Sequence, residues 1–220
     1  RVERGVMEGS PRLENFVIGL IVLVISISLH EFGHAISADK LGDPGPRRAG
    51  RITLYPGAHL DPFGFLMICF TMWAGFGLGW GRPVMVDSRY FGNPRKGMVI
   101  TSLCGPLMNL ALALVFGLLL RVLIMTGQVT AIPLLSRFAL QFLVINLSLM
   151  FFNLIPIHPL DGGKILSGLM PLSLSEKFDS MMWQWGPIIL LVSCFSGAGF
   201  LSSVISPAVI SAVEFILGKS

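Results

Sequence analysis

His30 and His34 stand four residues apart, with Glu31 directly after the first, in the run Ile27-Ser28-Leu29-His30-Glu31-Phe32-Gly33-His34. On a helix this spacing puts both imidazoles on one face, about 6 Å apart along the axis, so their nitrogens can meet one metal ion. Zinc accepts such ligands. Glu31 lies close enough to take a proton from a water activated there, the division of labour that an H-E-x-x-H helix supports. The run closes a segment apolar enough to enter a bilayer. A charged side chain at the centre of a membrane helix costs roughly 2.5–3.5 kcal/mol, so three ionisable residues within five positions read as a site rather than as packing.

The composition fits that setting. Of 220 residues, 53% are hydrophobic and 13% charged, and the mean hydropathy is +0.76. This describes a polytopic membrane protein and not a soluble domain. The net charge of +4 comes from Lys and Arg scattered through short loops, as beside lipid, and not from a basic face for nucleic acid. Cys69, Cys104 and Cys194 have no C-x-x-C spacing and read as reduced core residues. The N-terminal apolar run lacks a small-residue cleavage site and leads straight into the histidines, so it reads as a span and not as a removed signal.

The elements that must position the motif follow in order. Residues 1–14 mix charges of both signs and receive no function; residues 15–220 read as a single membrane-embedded domain. The first span covers 15–38, long enough for a ~30 Å hydrocarbon core. In segment 50–58, the alternation of Ile52 and Leu54 with Thr53 and Tyr55, ahead of Pro56-Gly57, predicts a small membrane-associated β element. An extended peptide could add to its edge, and a surface loop is the competing reading. Residues 63–81 are short for a span and rich in glycine. The flanking loops carry Lys40, Arg47, Arg48 and Arg51 on one side and Arg82, Arg89, Arg95 and Lys96 on the other. Both loops therefore read as cytoplasmic, which favours 63–81 as a re-entrant segment over a short span. Further spans are expected at 99–125, 137–155 and 186–206, with a broken segment at 156–168 and a break at Pro207 before an interfacial or continuing helix at 207–217. The fold class is thus an all-α bundle of four to six transmembrane or re-entrant segments with a small β element.

A catalytic zinc usually has three protein ligands, and two histidines leave it one short. Asp161 and His158 are the donors in apolar context. Asp161 serves equally as an N-cap for a helix beginning at Gly162, and His158 as a neutral loop histidine. Asn109 is a polar group in a span and reads first as interhelical glue.

Together, His30-Glu31-Phe32-Gly33-His34 and the later Asn153-Leu154-Ile155-Pro156-Ile157-His158-Pro159-Leu160-Asp161-Gly162 resemble the site-2 protease family of intramembrane zinc metalloproteases. The resemblance spans Asn15 to Gly168. It implies one zinc ion held by His30, His34 and Asp161, with Glu31 as general base and acid and Asn153 assisting at the substrate carbonyl. It also implies that the helix carrying Gly105, Pro106 and Asn109 packs in the catalytic core, and that Ile52, Thr53, Leu54 and Tyr55 present an extended substrate. The activity implied is cleavage of peptide bonds within or next to transmembrane segments of membrane proteins, with the lipid bilayer as setting and no nucleic acid partner. The site is expected at the cytoplasmic side of the cell (inner) membrane. The chain departs from larger relatives in lacking room for a PDZ domain between its core helices and a CBS domain after them. His158 stands where other members often carry an apolar residue or proline, as an alternative ligand or a pH-sensitive neighbour. His59 reads as a gate over the metal or as a plain loop histidine. A metal transporter and a non-catalytic membrane scaffold are the rival classes.

Overall fold

The structure, a computed structural model, describes residues 12–74, 79–195 and 200–218. Residues 1–11, the 75–78 portion of the expected re-entrant segment and the 196–199 portion of the expected last span lie outside the described residues, as does the Cys194 side chain.

Among the described residues, three helices have the length and apolarity to cross a membrane: α1 (Arg12–Lys40), α4 (Pro94–Met125) and α5 (Pro133–Asn153). Their serines do not compromise them, because Ser26 and Ser28 return their hydroxyls to the carbonyls of Val22 and Val24, both at 2.7 Å. α4 begins at an Asn93 cap, whose side chain accepts from Lys96 N at 3.0 Å, with Pro94 at the first helical position. Side-chain contacts set the directions of the three. Glu14 pairs with Arg137 at 2.8 Å, and Ser26 accepts from Asn146 at 2.9 Å, so α1 and α5 run parallel. His30 meets Asn109, and His34 meets the earlier Thr101, so α4 runs antiparallel to both. The chain between α1 and α4 therefore leaves and re-enters the bundle at the same end.

That connection holds the four-residue helix α2 (Gly45–Arg48) and the 13-residue α3 (Pro62–Ala74). An antiparallel bridge joins Leu60 to Gly81, so the chain flanking α3 comes back to where it started. The return lies along α3 itself: a Cβ on Gly64 would stand 2.2 Å from the Trp80 carbonyl, and one on Gly79 would stand 2.9 Å from Ile68 Cα.

The β element expected at 50–58 is not formed. The only pairing among the described residues is that single bridge, and Pro56–Ala58 make a 3-10 turn in place of a hairpin turn. Side chains take the role of a partner strand. The buried Arg51 guanidinium donates to the carbonyls of Ala58, Arg82 and Pro83, and the His59 ring bonds the Thr53 carbonyl at 2.8 Å.

Beyond α5, a loop leads to α6 (Asp161–Leu169), α7 (Leu172–Phe195) and α8 (Phe200–Leu217). α7 begins well before the span expected at 186, and α8 runs through Pro207 instead of breaking there. A proline removes one main-chain hydrogen bond, and the helix is held across it by Val209, Val213 and Ile216, packed with Ala113, Leu120, Leu143 and Leu147 of α4 and α5. A second cluster, Ile18 and Val22 with Phe142, is backed by the Phe116–Phe142 stack at 3.9 Å. Large apolar side chains such as Val115, Leu118, Val122, Ile210 and Phe215 face outward, as lipid-facing positions do.

Candidate metal centre

Where α1 crosses α4, both helices carry glycine. A Cβ on Gly33 would sit 2.8 Å from the Cys104 carbonyl, so the backbones touch. A Cβ on Gly105 would sit 2.4 Å from His34 Nε2 and 2.7 Å from His30 Cε1. The imidazoles therefore occupy the space that any larger residue at 105 would fill.

Both rings are buried and oriented from behind. His30 Nδ1 lies 2.6 Å from Asn109 Oδ1, and His34 Nδ1 lies 2.8 Å from the Thr101 carbonyl oxygen. Both partners only accept, so each Nδ1 carries a proton, and in the neutral ring each Nε2 presents a bare lone pair. Asn109 is fixed in turn: its Nδ2 donates to Asn146 Oδ1 at 2.9 Å, and Asn146 Nδ2 donates to Ser26 Oγ at 2.9 Å. Ser26, Asn109 and Asn146 are fully buried, so this polar layer carries no orphaned amide.

Asp161, the first residue of α6, completes the group. Its Oδ2 lies 3.2 Å from His30 Nε2 and 3.1 Å from His34 Nε2, and the two Nε2 atoms are 3.0 Å apart. Asp161 is buried, and Oδ2 has no hydrogen-bond donor among the described residues. Two lone pairs and a carboxylate oxygen converging without a proton between them repel one another unless a cation stands among them. Tetrahedral bonds of about 2.0–2.1 Å set donor atoms about 3.3 Å apart, close to the spacing here, so the residues fit a zinc ion. The second oxygen, Oδ1, faces Lys164 Nζ at 3.4 Å. Asp161 does not act as a cap by its side chain, since the capping position, Leu160, makes no side-chain bond and Oδ2 turns to the histidines.

Glu31 is half-buried beside this group, and its Oε2 accepts the Val84 main-chain N–H at 3.1 Å. Residues 81–87 run past it as extended chain, held to the preceding loop by Arg82 N donating to the His59 carbonyl at 2.7 Å and by Arg51. Burial, with Arg82 close by, pushes the Arg51 guanidinium below its usual value, and the Glu31 charge pulls it back up.

The remaining candidate residues are not among the converging donors. His59 is fully buried, and its ring is turned to the Thr53 carbonyl. His158 pairs with Asp179 at 2.8 Å and is not among the converging donors. Asn153 donates Nδ2 to the Leu149 carbonyl at 2.9 Å. Leu54 and Tyr55 are exposed, while Ile52 and Thr53 are partly covered. Asn109, which reads as glue, orients a ligand as well. Thr101, Lys164 and Val84 are contributors that the sequence does not single out, and Asn146 is one to which it gives no role. For Asn146 there is a signal, a polar residue deep in an apolar span, but for a main-chain carbonyl or N–H a sequence gives none.

Residues 121–193 match the model of the family described as Peptidase family M50. The chain is 38% identical over 177 residues to "Putative zinc metalloprotease YwhC" of Bacillus subtilis, covering 79% of this chain and 78% of that one. This chain belongs to peptidase family M50. Two further relatives are similar to this M50 chain, both named "Putative zinc metalloprotease Rip2". The Mycobacterium tuberculosis protein is 35% identical over 150 residues, or 67% of this chain and 55% of its own length. The Mycolicibacterium smegmatis protein is 32% identical over 187 residues, or 80% and 67%. No solved structure matches this M50 chain significantly. The family match contains Asp161 and ends in α7, while the histidine motif lies before it.

Proposed function

We propose that this membrane metalloprotease hydrolyses peptide bonds within or next to transmembrane segments of membrane-protein substrates, with His30, His34 and Asp161 as its zinc ligands. The observation that carries the assignment is the convergence of three buried, proton-free donors at the end of membrane-length helices. When bound, zinc supplies Lewis-acid activation of a water and polarisation of the scissile carbonyl.

The chain's own residues do the rest. Asn109 and Thr101 hold the Nδ1–H groups of His30 and His34 and so turn each Nε2 toward the shared site. Glu31 accepts a proton from the attacking water as the carbon–oxygen bond forms, and delivers it to the amine nitrogen as the carbon–nitrogen bond breaks. Asn153 uses one amide hydrogen on Leu149 and offers the second to the carbonyl oxygen as charge develops there. A helical peptide bond is shielded by its own hydrogen bonds, so the substrate unwinds first, and the exposed Leu54 and Tyr55 with Ile52 and Thr53 offer it a surface. The basic loops at this end support a site on the cytoplasmic side of the cell membrane.

The test is zinc content and cleavage of a model single-span substrate in detergent, for the parent, Glu31→Gln and Asp161→Ala. The parent holds about one zinc and cuts, Glu31→Gln holds zinc without cutting, and Asp161→Ala loses the metal. Cleavage by Glu31→Gln overturns the assignment. Reporter fusions after Ser88 and Gly127 report opposite sides of the membrane; the same side for both overturns the orientation.

A further inference from the structure

The loop that delivers Asp161 is fastened from outside by a cluster that the catalytic reading leaves unused. His158, three residues before Asp161, is 3% exposed, and its ring stacks on Trp183 of α7 at 5.2 Å and 8°. Its Nε2 lies 2.8 Å from Asp179 Oδ1, and its Nδ1 has no partner among the described residues, so all its polar anchoring runs through that one bond. The other oxygen, Asp179 Oδ2, accepts the Ser167 hydroxyl at 2.8 Å, and Ser167 also meets Ser175 at 2.9 Å. One carboxylate thus grips the chain on both sides of Asp161: the loop before it and the far end of α6.

Positions 175, 179, 183 and 186 share one face of α7, and that face lies on this loop and α6. A Cβ on Gly186 would stand 2.1 Å from the His158 carbonyl oxygen, so backbone meets backbone there. On the inner side, Cβ atoms on Gly162 and Gly163 would stand 2.3 Å from the Leu154 carbonyl and 2.8 Å from His158 N. The first turn of α6 is therefore packed directly against residues 154–158. Any shift of that loop is a shift of Asp161.

We propose that His158 and Asp179 are a positioning pair: through loop 154–160 and Ser167 they hold Asp161 Oδ2 against His30 and His34, with α7 as the brace. The inference rests on the reading of Asp161 as a zinc ligand. Neither residue touches the reacting atoms. Their contribution is to the geometry of the third ligand, and so to metal affinity, in the way that partners behind a ligand commonly contribute about 10–100-fold.

The test uses the full chain in detergent. Zinc affinity is measured by chelator competition, and hydrogen exchange is followed by peptide, for the parent, His158→Ala, Asp179→Ala, the double variant, Asp179→Asn and Asp161→Ala. Each alanine variant is expected to weaken zinc by about 10–100-fold, with faster exchange confined to residues 154–169. The double variant is no weaker than either single, because the pair acts as a unit. Asp179→Asn, which keeps an oxygen for His158 and an amide that Ser167 can meet by turning its hydroxyl, stays near the parent. Parental zinc affinity in either alanine variant, additive losses, or exchange loosened equally in α1 and α4 overturns the proposal. Asp161→Ala separates the two readings: if it alone loses zinc, the positioning pair fails and the ligand stands; if it keeps zinc, the ligand assignment itself fails.

Discussion

The two halves of the metal centre are built in different ways. His30 and His34 sit where two long helices cross on glycines, and their partners Asn109 and Thr101 belong to the facing helix. Whatever forms the α1–α4 contact also forms the histidine pair. Asp161 comes from a nine-residue helix behind a loop, and its place depends on a few side chains and on α7 outside it. The ligands that need a rigid spacing are set by the bundle, and the ligand that closes the site is set by contacts that can be altered without disturbing the bundle.

The largest effect separates holding the metal from using it. Glu31→Gln touches neither half of the ligand set, so zinc affinity stays at the parental value while cleavage falls about 10²–10⁴-fold, the usual contribution of a general base. Metal analysis beside a turnover assay reads both, and a parallel loss of zinc would place Glu31 among the ligands.

Next comes a direct break of the helix-crossing half. Gly105→Ala puts a methyl within 2.4 Å of His34 Nε2, too close for the ring to stay. Zinc affinity falls by about 100-fold, and the apo protein also melts lower because the two helices are forced apart. Parental affinity with an unchanged melting temperature would mean that the crossing is not tight.

Asn109→Ala then sharpens the contrast. It leaves the His30 Nδ1–H and Asn146 Oδ1 without partners in the core, costing about 1–3 kcal/mol. It should lower the melting temperature of the apo protein as well as weaken zinc by about 10–100-fold. His158→Ala should weaken zinc with little change in apo melting. Equal melting losses in the two variants would erase the distinction between the halves.

Much of this is legible in the residues. The spans show as apolar runs, and the His30 and His34 pair is readable from spacing because a helix converts sequence distance into a fixed face. Asp161 is legible only as a donor that also suits a cap; the direction of Oδ2, toward the two histidines, favours the donor. The failure at 50–58 is instructive. Alternation in Ile52 to Tyr55 suggests a strand, but alternation does not say whether a partner strand exists, and here the carbonyls of Thr53 and Ala58 go to His59 and Arg51. By sequence Arg51 is a loop charge and His59 a gate or a plain loop histidine. The Ser26–Asn109–Asn146 layer joins positions up to 120 residues apart, and one sequence carries no sign of which distant amides meet.

The smallest effect concerns that same loop. Arg51 reaches three carbonyls, on Ala58, Arg82 and Pro83, and so ties the 51–60 loop to the extended chain whose Val84 N–H holds Glu31 Oε2. Arg51→Lys keeps the charge but loses the planar fork, so one ammonium cannot satisfy all three acceptors. The extended chain then loosens beside Glu31 while the metal ligands, anchored in α1, α4 and α6, keep their partners. A net hydrogen bond of about 1 kcal/mol corresponds to about fivefold in rate. The expected result is therefore a several-fold fall in kcat at parental zinc affinity, measured on the single-span substrate with metal quantified in the same sample. A fall in zinc affinity would show that this loop supports the ligands too, and unchanged turnover would show that Glu31 does not depend on Val84 for its position.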